Sequence, residues 1–590
     1  MTNPSTEAQA WLAQFSAAVE RRDATEAAAL FANDGYWRDL LTFTWNIKTT
    51  EGRAAIEDML QATLASARPS GWTITGTPTG DANGVEAWFA FETPVARGEG
   101  VLRLRGGLCH ILFTAMKELK GFEEQRGFTR PTGVRHQADP HRVTWQDARR
   151  REQEALGYTE QPYVVVIGGG QGGMALGARL KQLNVPTLII DKLDRPGDAW
   201  RQRYRTLVLH DPVWFDHLPY LPFPDHWPVF TPKDKLGDWM EMYARVMELN
   251  YWSRSTCTRA TYDAQAQEWT VEVNRDGTPV VLKPKQLVFA TGANGPARMV
   301  DLPGRAQFQG EVLHSSQYQD GAKFRGKKVA VIGAGSSGHD VCVDLWESGA
   351  EVTMIQRSSA TVIRIDSQVN LGMQLYSEQS AAAGITTEKA DLIAASLPYK
   401  VFAQVQREIT DKIRAHDADF YQRLQAAGFQ LDFGPDDTGL AMKAYRTGSG
   451  YYIDVGGSDL IINGDIQLKS GVAIERLSPT GLVFADGSEL AVDAVIACTG
   501  YQSMREVIGQ IVSPAVAEAL GRCTGMGSGV RGDPGPWQGE LRNHWKPTRQ
   551  PGLWIMGGNL ALSRFYSKVL ALQLKARQEG VATPVYGEPG

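Results

Sequence analysis

Two stretches share one pattern: Tyr163-Val-Val-Val-Ile167-Gly168-Gly-Gly170-Gln-Gly-Gly173 and Lys328-Val-Ala-Val-Ile332-Gly333-Ala-Gly335-Ser-Ser-Gly338. In each, a β-type run leads into GxGxxG and then into residues at helical spacing. In that setting the first glycine allows a tight turn, the second lets backbone approach a pyrophosphate, and the third packs helix on strand. The N-terminus of the following helix offers free N–H groups and a positive dipole end to the same phosphates. One such motif is weak evidence. Two in one chain, about 165 residues apart, predict two dinucleotide sites, and the usual chemistry needing both is reduction of a flavin by a nicotinamide.

The residue closing the second strand of each unit distinguishes the two. Asp191 follows the run Pro186 to Ile190, where a carboxylate can hydrogen-bond the hydroxyls of an unphosphorylated ribose, so the first site is expected to take FAD. Arg357 follows Val352-Thr-Met-Ile-Gln; a guanidinium there suits a 2′-phosphate and favours NADPH. No second basic residue follows, only Ser358 and Ser359, so NADH is also expected to be accepted. Ser336 and Ser337 either donate to phosphate or cap the helix.

Outward from these motifs, strands and helices alternate through residue 360, the signature of βαβ units and a parallel sheet. Residues 366–450 are rich in helix formers and predict an insertion over the active site. The expected fold is α/β, with two dinucleotide-binding (Rossmann-type) domains and a helical insertion, preceded by an α+β cone domain. The expected division is 1–121 for the cone, 122–160 for a linker, 161–325 for the first part of the FAD domain, 326–490 for the NAD(P)H domain and 491–590 for the rest of the FAD domain.

In the N-terminal part, helical spacing over Ala8 to Arg21, Ala24 to Phe31 and Arg53 to Ala65 precedes strand-like runs at Trp72 to Thr77, Val85 to Glu92, Val101 to Leu104 and Gly107 to Leu119. Leu30 to Trp37 reads as a turn. With that turn, the pattern resembles the cone-shaped nuclear-transport-factor-like (SnoaL-like) domain. Trp37, Leu40, Leu41, Phe43 and Trp45 form an apolar segment suited to packing on the nucleotide domains, and the cone is read as a scaffold or homodimer contact. A rival reading makes it a small isomerase or dehydratase with Asp39 and His110 as an acid/base pair.

Composition narrows the function classes. A chain of 590 residues with 43% hydrophobic and 22% charged residues fits a multidomain globular protein. A net charge of −5 and scattered basic residues give no footprint for nucleic acid. No secretory signal or membrane span is visible, so a cytoplasmic location without a membrane partner follows by default. The five cysteines form no CxxC pair and no metal site is expected. Residues 174–256 hold no cysteine, which excludes a disulfide reductase of this architecture.

Four further strings complete the reading: Arg195-Pro-Gly-Asp-Ala-Trp200-Arg-Gln-Arg-Tyr204, Phe308-Gln-Gly310-Glu-Val-Leu-His314-Ser-Ser-Gln-Tyr318, the pair Phe289-Ala-Thr-Gly292 and Ala497-Cys-Thr-Gly-Tyr501, and Gly557-Gly-Asn559 before the last helix. The first resembles the GG-x-W-x-x-x-Y segment of class B flavoprotein monooxygenases, with Pro196 in place of a glycine. The second matches FxGxxxHxxxY/F of flavin-containing and Baeyer–Villiger monooxygenases. With the N-terminal cone, His210-Asp211-Pro and Thr231-Pro-Lys-Asp-Lys-Leu, the chain is most similar to type II flavin-containing monooxygenases.

The resemblance implies FAD and NADPH as cofactors, and O2 and a small organic molecule as substrates. It also implies a C4a-peroxyflavin that inserts one oxygen atom, into a ketone in the Baeyer–Villiger manner. Trp200 and Tyr204 would wall the flavin, Asn559 would bring N–H groups to its pyrimidine, and His314 would couple nucleotide binding to domain position. Type I relatives carry an asparagine six residues after the tyrosine; counting from Tyr204 gives His210. His210, with Asp211 beside it, is therefore the candidate for hydrogen-bonding the oxygenating species or the carbonyl. Arg446, Arg549 and Arg564 lie in segments suited to an assisting arginine, and nothing chooses among them. Competing outcomes of the same motifs are N- or S-oxygenation and an NADPH oxidase.

Overall fold

The computed structural model describes residues 3–587 except 83, 135, 293–294, 531 and 534. The outermost ends of the expected first and last segments, 1–2 and 588–590, lie outside the described residues.

Each glycine motif sits at the heart of a five-stranded sheet. The first sheet runs Leu553–Ile555, Gln286–Phe289, Val164–Ile167, Thr187–Ile190, Tyr251–Trp252, every neighbouring pair parallel. The second runs Glu311–His314, Ala494–Ala497, Lys328–Ile332, Glu351–Gln356, Gln467–Ser470, again parallel throughout. Both faces of the inner strands are covered, so Val164–Ile167 and Ala494–Ala497 are buried at every position and read as unbroken apolar runs.

The strands Glu311–His314 and Ala494–Ala497 both join the second sheet, so the expected boundaries at 325 and 490 cut through it. Parallel sheets admit strands far apart in sequence, and an apolar run alone does not say which sheet it enters. Residues 366–450 form an insertion of mostly short helices with one long one, Tyr399–His416.

The N-terminal unit is a six-stranded sheet with three helices, Pro4–Glu20, Ala24–Ala29 and Arg53–Ala67. It contains two strands that the sequence reading missed, Phe31–Leu40 and Ile47–Glu51. Phe31–Leu40 pairs in parallel with Leu108–Leu119, so the sheet is mixed and not wholly antiparallel. Asn33-Asp-Gly35 imitates a turn; it is an irregularity in the strand between Phe31 and Tyr36. A Cβ at Gly35 would sit 3.0 Å from two carbonyl oxygens, of Ala32 and Cys109, tight enough that any larger residue would push the backbone apart at the kink.

The interior of this unit is filled by aromatic rings, Phe15, Phe31, Trp37 and Phe43 among them. Asp39 is buried within the fold's own hydrogen bonds: Oδ2 accepts from the Phe43 and Thr44 amides and the Thr44 hydroxyl, and Oδ1 accepts from Thr114. Thr114 lies opposite Asp39 and four residues from His110, roughly 13 Å along a strand. The geometry removes the Asp39–His110 pair.

The unit is fastened to the rest of the chain. Leu40, Leu41 and Trp45 belong to the same core as Val164, Met174 and Leu570, while Trp37 and Phe43 face the unit's own interior. Beside them a bidentate ion pair joins Arg38 to Glu540, both 2.7 Å, with exposures of 2% and 4%. Thr49 donates to the same carboxylate and Arg38 also reaches Tyr566. Removing one member of such a buried pair costs about 3–5 kcal/mol, so this contact fixes orientation. The apolar segment is spent inside the chain.

Candidate active site

The first turn is shaped for an anion. Gly168 has φ +106°, and a Cβ there would meet the Ala290 carbonyl oxygen at 2.5 Å; a Cβ on Gly173 would sit 2.0 Å from the Gly168 oxygen. Gly170, the N-cap of helix Gln171–Gln182, faces open space and leaves the first amides without a side-chain cap. Asp191 stands beside the turn, its Oδ2 accepting from the Gly169 amide at 2.6 Å and Oδ1 from Leu193 at 2.8 Å.

The second turn repeats these dimensions. Gly333 has φ +123° and would meet the Cys498 oxygen at 2.5 Å, and Gly338 would lie 2.0 Å from the Gly333 oxygen. Gly335 is the N-cap of Ser336–Glu347, so neither serine caps it. The Ser336 hydroxyl donates to the Tyr451 carbonyl at 3.1 Å, and the Ser337 carbonyl accepts from Cys498. Arg357 is exposed at the end of the Glu351–Gln356 strand.

Between the turns lies a cavity of about 260 Å3, lined by Gln171, Trp200 and Asn559 on one side and Ser336, Ser337 and Tyr451 on the other. His210 and Asp211 both line it. They are held there because Leu209 and Lys233 donate backbone hydrogen bonds to Thr231 and Leu207 respectively, so the Thr231-Pro-Lys segment splints the chain just before His210. Burial pushes the Asp211 carboxyl up to about 6. Trp200 presents a buried indole N–H that has no hydrogen-bond partner among the described residues, an orphan donor lining the cavity.

Tyr204 lines the cavity as well, with its ring set in the second domain's core and its hydroxyl donating to Asp340 at 2.5 Å. Asp340 stands on the second helix, so this bond ties the first nucleotide segment to the second domain. Burial raises the Asp340 carboxyl, against the lowering influence of His210 and Tyr204.

Asn559 caps the final helix, accepting from the Leu562 amide at 3.0 Å, so its side-chain oxygen is engaged while its edge faces the cavity. His314 does not line the cavity. Its Nδ1 lies 2.9 Å from the Ser316 hydroxyl and its Nε2 2.9 Å from the Gly500 carbonyl, with its ring edge-on to Tyr501. Burial lowers its pKa, in keeping with a neutral ring. Tyr501 in turn accepts from Arg203 at 3.2 Å, so a chain of contacts runs from the signature histidine through Tyr501 to Arg203 at the cavity.

Three charged lining groups escaped the sequence reading: Arg203, Asp216 and Asp340. Arg203 supplies the cavity's guanidinium, whereas Arg446 is spent on Asp436, Arg564 on Asp391, and neither they nor Arg549 line it. Arg203 was visible as the residue before Tyr204; Asp216 and Asp340 carried no local signal.

The comparisons with known proteins agree with this geometry. Residues 165–440 match the family model described as pyridine nucleotide-disulphide oxidoreductase. Indole-3-pyruvate monooxygenase YUCCA1 of Oryza sativa subsp. japonica is 32% identical over 343 residues, covering 58% of this chain and 77% of the relative. YUCCA8 of Oryza sativa subsp. indica is 32% identical over 345 residues, with 58% and 76% covered. The chain belongs to the flavin-dependent monooxygenases. Enzymes of this family use FAD and NADPH, and the cysteines of this one are all free.

Among solved structures, OTEMO in complex with FAD and NADP aligns with TM-score 0.51 at 18% identity, covering 71% of this chain and 87% of that one. Cyclohexanone monooxygenase with bound ε-caprolactone gives 0.51 at 17%, with 71% and 88% covered. These likenesses concern the fold. No helix among the described residues is long and apolar enough to cross a membrane.

Proposed function

We propose that this monooxygenase oxygenates a neutral ketone to an ester or lactone, consuming one NADPH, one proton and one O2 and releasing water. The first turn, with Asp191, Trp200 and the 557–559 loop, would hold FAD. The second, with Arg357, would hold NADPH, and NADH less tightly. The residues fit both groups: two uncapped helix N-termini, glycines whose side chains would fill the cradles, and the orphan indole N–H of Trp200. When bound, FAD supplies the two-electron chemistry that activates oxygen, with NADPH as its reductant.

The protein's share is positioning, proton control and exclusion of water. The Tyr204–Asp340 bond keeps the two nucleotide segments in register across the cavity. Leu207, Leu209, Ile453 and Leu560 give it an apolar wall, which would help to keep water from the reacting atoms. Asp211, its carboxyl lifted to about 6 by burial, can hold and pass a proton near neutral pH.

The observation that carries the ketone reading is the charge of the lining. Asp211, Asp216 and Asp340 face one guanidinium, Arg203, already engaged with Tyr501. Whether ionised or held protonated by burial, these acids offer no cation to pair a substrate carboxylate, which favours a neutral carbonyl over a 2-oxo acid of the kind named for the rice relatives. Product analysis with a cyclic ketone, a 2-oxo acid and a thioether tests this. Lactone should dominate; decarboxylation of the oxo acid or sulfoxide as the main product would overturn the reading.

A further inference from the structure

Asp216 ends the short helix Val213–Asp216 and is 1% exposed, yet it lines the cavity. Its Oδ2 is fully buried and has no hydrogen-bond partner among the described residues. A buried carboxyl oxygen left unpaired is costly, and the surroundings do nothing to relieve it. Arg564 is close enough to act on its charge, but the guanidinium is committed elsewhere. Nε and Nη2 grip Asp391 at 2.8 Å each, and Nη1 donates to the Phe215 carbonyl at 2.7 Å and the His217 carbonyl at 2.8 Å.

Those last two bonds are informative, since Phe215 and His217 flank Asp216. The final helix thus holds the backbone on both sides of the unpaired carboxyl while leaving the carboxyl itself free. The helical insertion adds to this hold. Asp391 completes the clamp, Thr387 donates to the Trp214 carbonyl at 3.4 Å, and the Tyr376 ring packs edge-on against Phe215 at 4.8 Å. Tyr376 also donates to Asp391 at 2.9 Å. A segment fixed from two directions around one unsatisfied group is the arrangement expected where a ligand supplies the missing partner.

We propose that Asp216 is the substrate anchor of the cavity, its carboxyl O–H donating a hydrogen bond to the carbonyl oxygen of the ketone. Arg564 and Asp391 act through it as positioning residues. The proposal rests on the ketone reading above. Burial, with the negative charge of Asp211 adding to it and Arg564 opposing, holds Asp216 well above the usual carboxylate range and so favours its protonated form. A carboxylic acid kept neutral in an apolar site is a strong donor to a carbonyl. Asp211, raised only to about 6, remains mainly ionised at pH 7.5, so the two acids have different tasks.

The test uses the FAD-loaded enzyme with NADP+ at pH 7.5 and infrared difference spectroscopy. A protonated-carboxyl band should be present in the native protein and absent from both Asp216→Asn and Asp216→Leu. With cyclohexanone labelled at the carbonyl carbon, the bound carbonyl stretch should shift to lower frequency in the native enzyme and in Asp216→Asn, whose amide still donates. In Asp216→Leu the shift should vanish and KM for the ketone should rise on the order of tenfold, the loss of one buried hydrogen bond. Flavin absorbance and thermal melting establish that each variant is folded. If the leucine variant does not fold, the asparagine variant still decides through its missing carboxyl band and its retained carbonyl shift.

A carboxyl band that survives in both variants overturns the proposal, as does a ketone stretch unshifted in the native enzyme. Asp216 ionised in the native protein, with tight binding of a cyclic ammonium instead, also overturns it. A shifted ketone stretch without any lactone would uphold Asp216 as the anchor while removing the ketone oxygenation itself.

Discussion

The two glycine turns are near copies in backbone and opposites in what stands beside them. Gly168 and Gly333 both take positive φ and both would strike a carbonyl at 2.5 Å; Gly173 and Gly338 would both strike one at 2.0 Å. Each opens an uncapped helix of twelve residues. Beside the first, Asp191 is already bonded to the turn's own amide, so the acid is part of the cradle. Beside the second, Arg357 is exposed to solvent at the strand end. Backbone geometry makes a dinucleotide site, and the neighbouring side chain decides which dinucleotide. The rigid acid suits a cofactor retained through turnover, and the exposed cation suits one that comes and goes.

The comparison breaks most sharply at the third glycines. Gly173→Ala drives a methyl group into backbone and should yield protein with little FAD, a loss on the order of ten- to a hundredfold in retention read from flavin absorbance. Gly338→Ala should retain its flavin while KM for NADPH rises by a similar factor. If both variants lose flavin equally, the two sites are not separable. At the next level, Arg357→Ala should lower the NADPH-over-NADH preference in kcat/KM on the order of ten- to a hundredfold, the worth of charge-assisted bonds to one phosphate. An unchanged ratio would remove Arg357 from the site. Asp191→Asn keeps the shape but weakens acceptance from the ribose and from Gly169, and FAD binding, read from flavin retention, should loosen by no more than about tenfold.

The smallest effect concerns the space between the turns. Asp211 is raised from 3.8 to about 6 in the fold, so the folded state binds its proton more tightly than the unfolded chain does. The resulting stability is full below about pH 4 and is lost as pH rises through about 6. Asp211→Asn should therefore flatten the fall in Tm between pH 4 and 6, measured by calorimetry, and shift the acid limb of kcat/KM. A Tm profile parallel to that of the native enzyme would contradict the assignment.

Local chemistry was legible in the sequence and tertiary chemistry was not. The glycines, Asp191 and Arg357 could be singled out because each lies within one βαβ unit, at a fixed place relative to its motif. His210 could be placed by counting from Tyr204. The bond from the Tyr204 hydroxyl to Asp340, 136 residues away on another domain, was not legible.

Asp216 carried no signal: a lone aspartate in Val213-Trp-Phe-Asp216 gains significance only when Arg564 and Asp391 clamp its neighbours and leave it unpaired. The strand Phe31–Leu40 was hidden by Asn33-Asp-Gly35, turn residues by composition that serve as a kink because Cys109 packs against Gly35. The fate of Ala494–Ala497 could not be read either, since a four-residue apolar strand is compatible with both sheets.

The most direct measurement is turnover of cyclohexanone by the purified FAD-loaded enzyme with NADPH under 18O2. The account predicts lactone carrying one labelled oxygen, with one NADPH consumed for each lactone formed and the second labelled atom in water. Hydrogen peroxide in the amount of NADPH consumed, with the ketone returned unchanged, would contradict it.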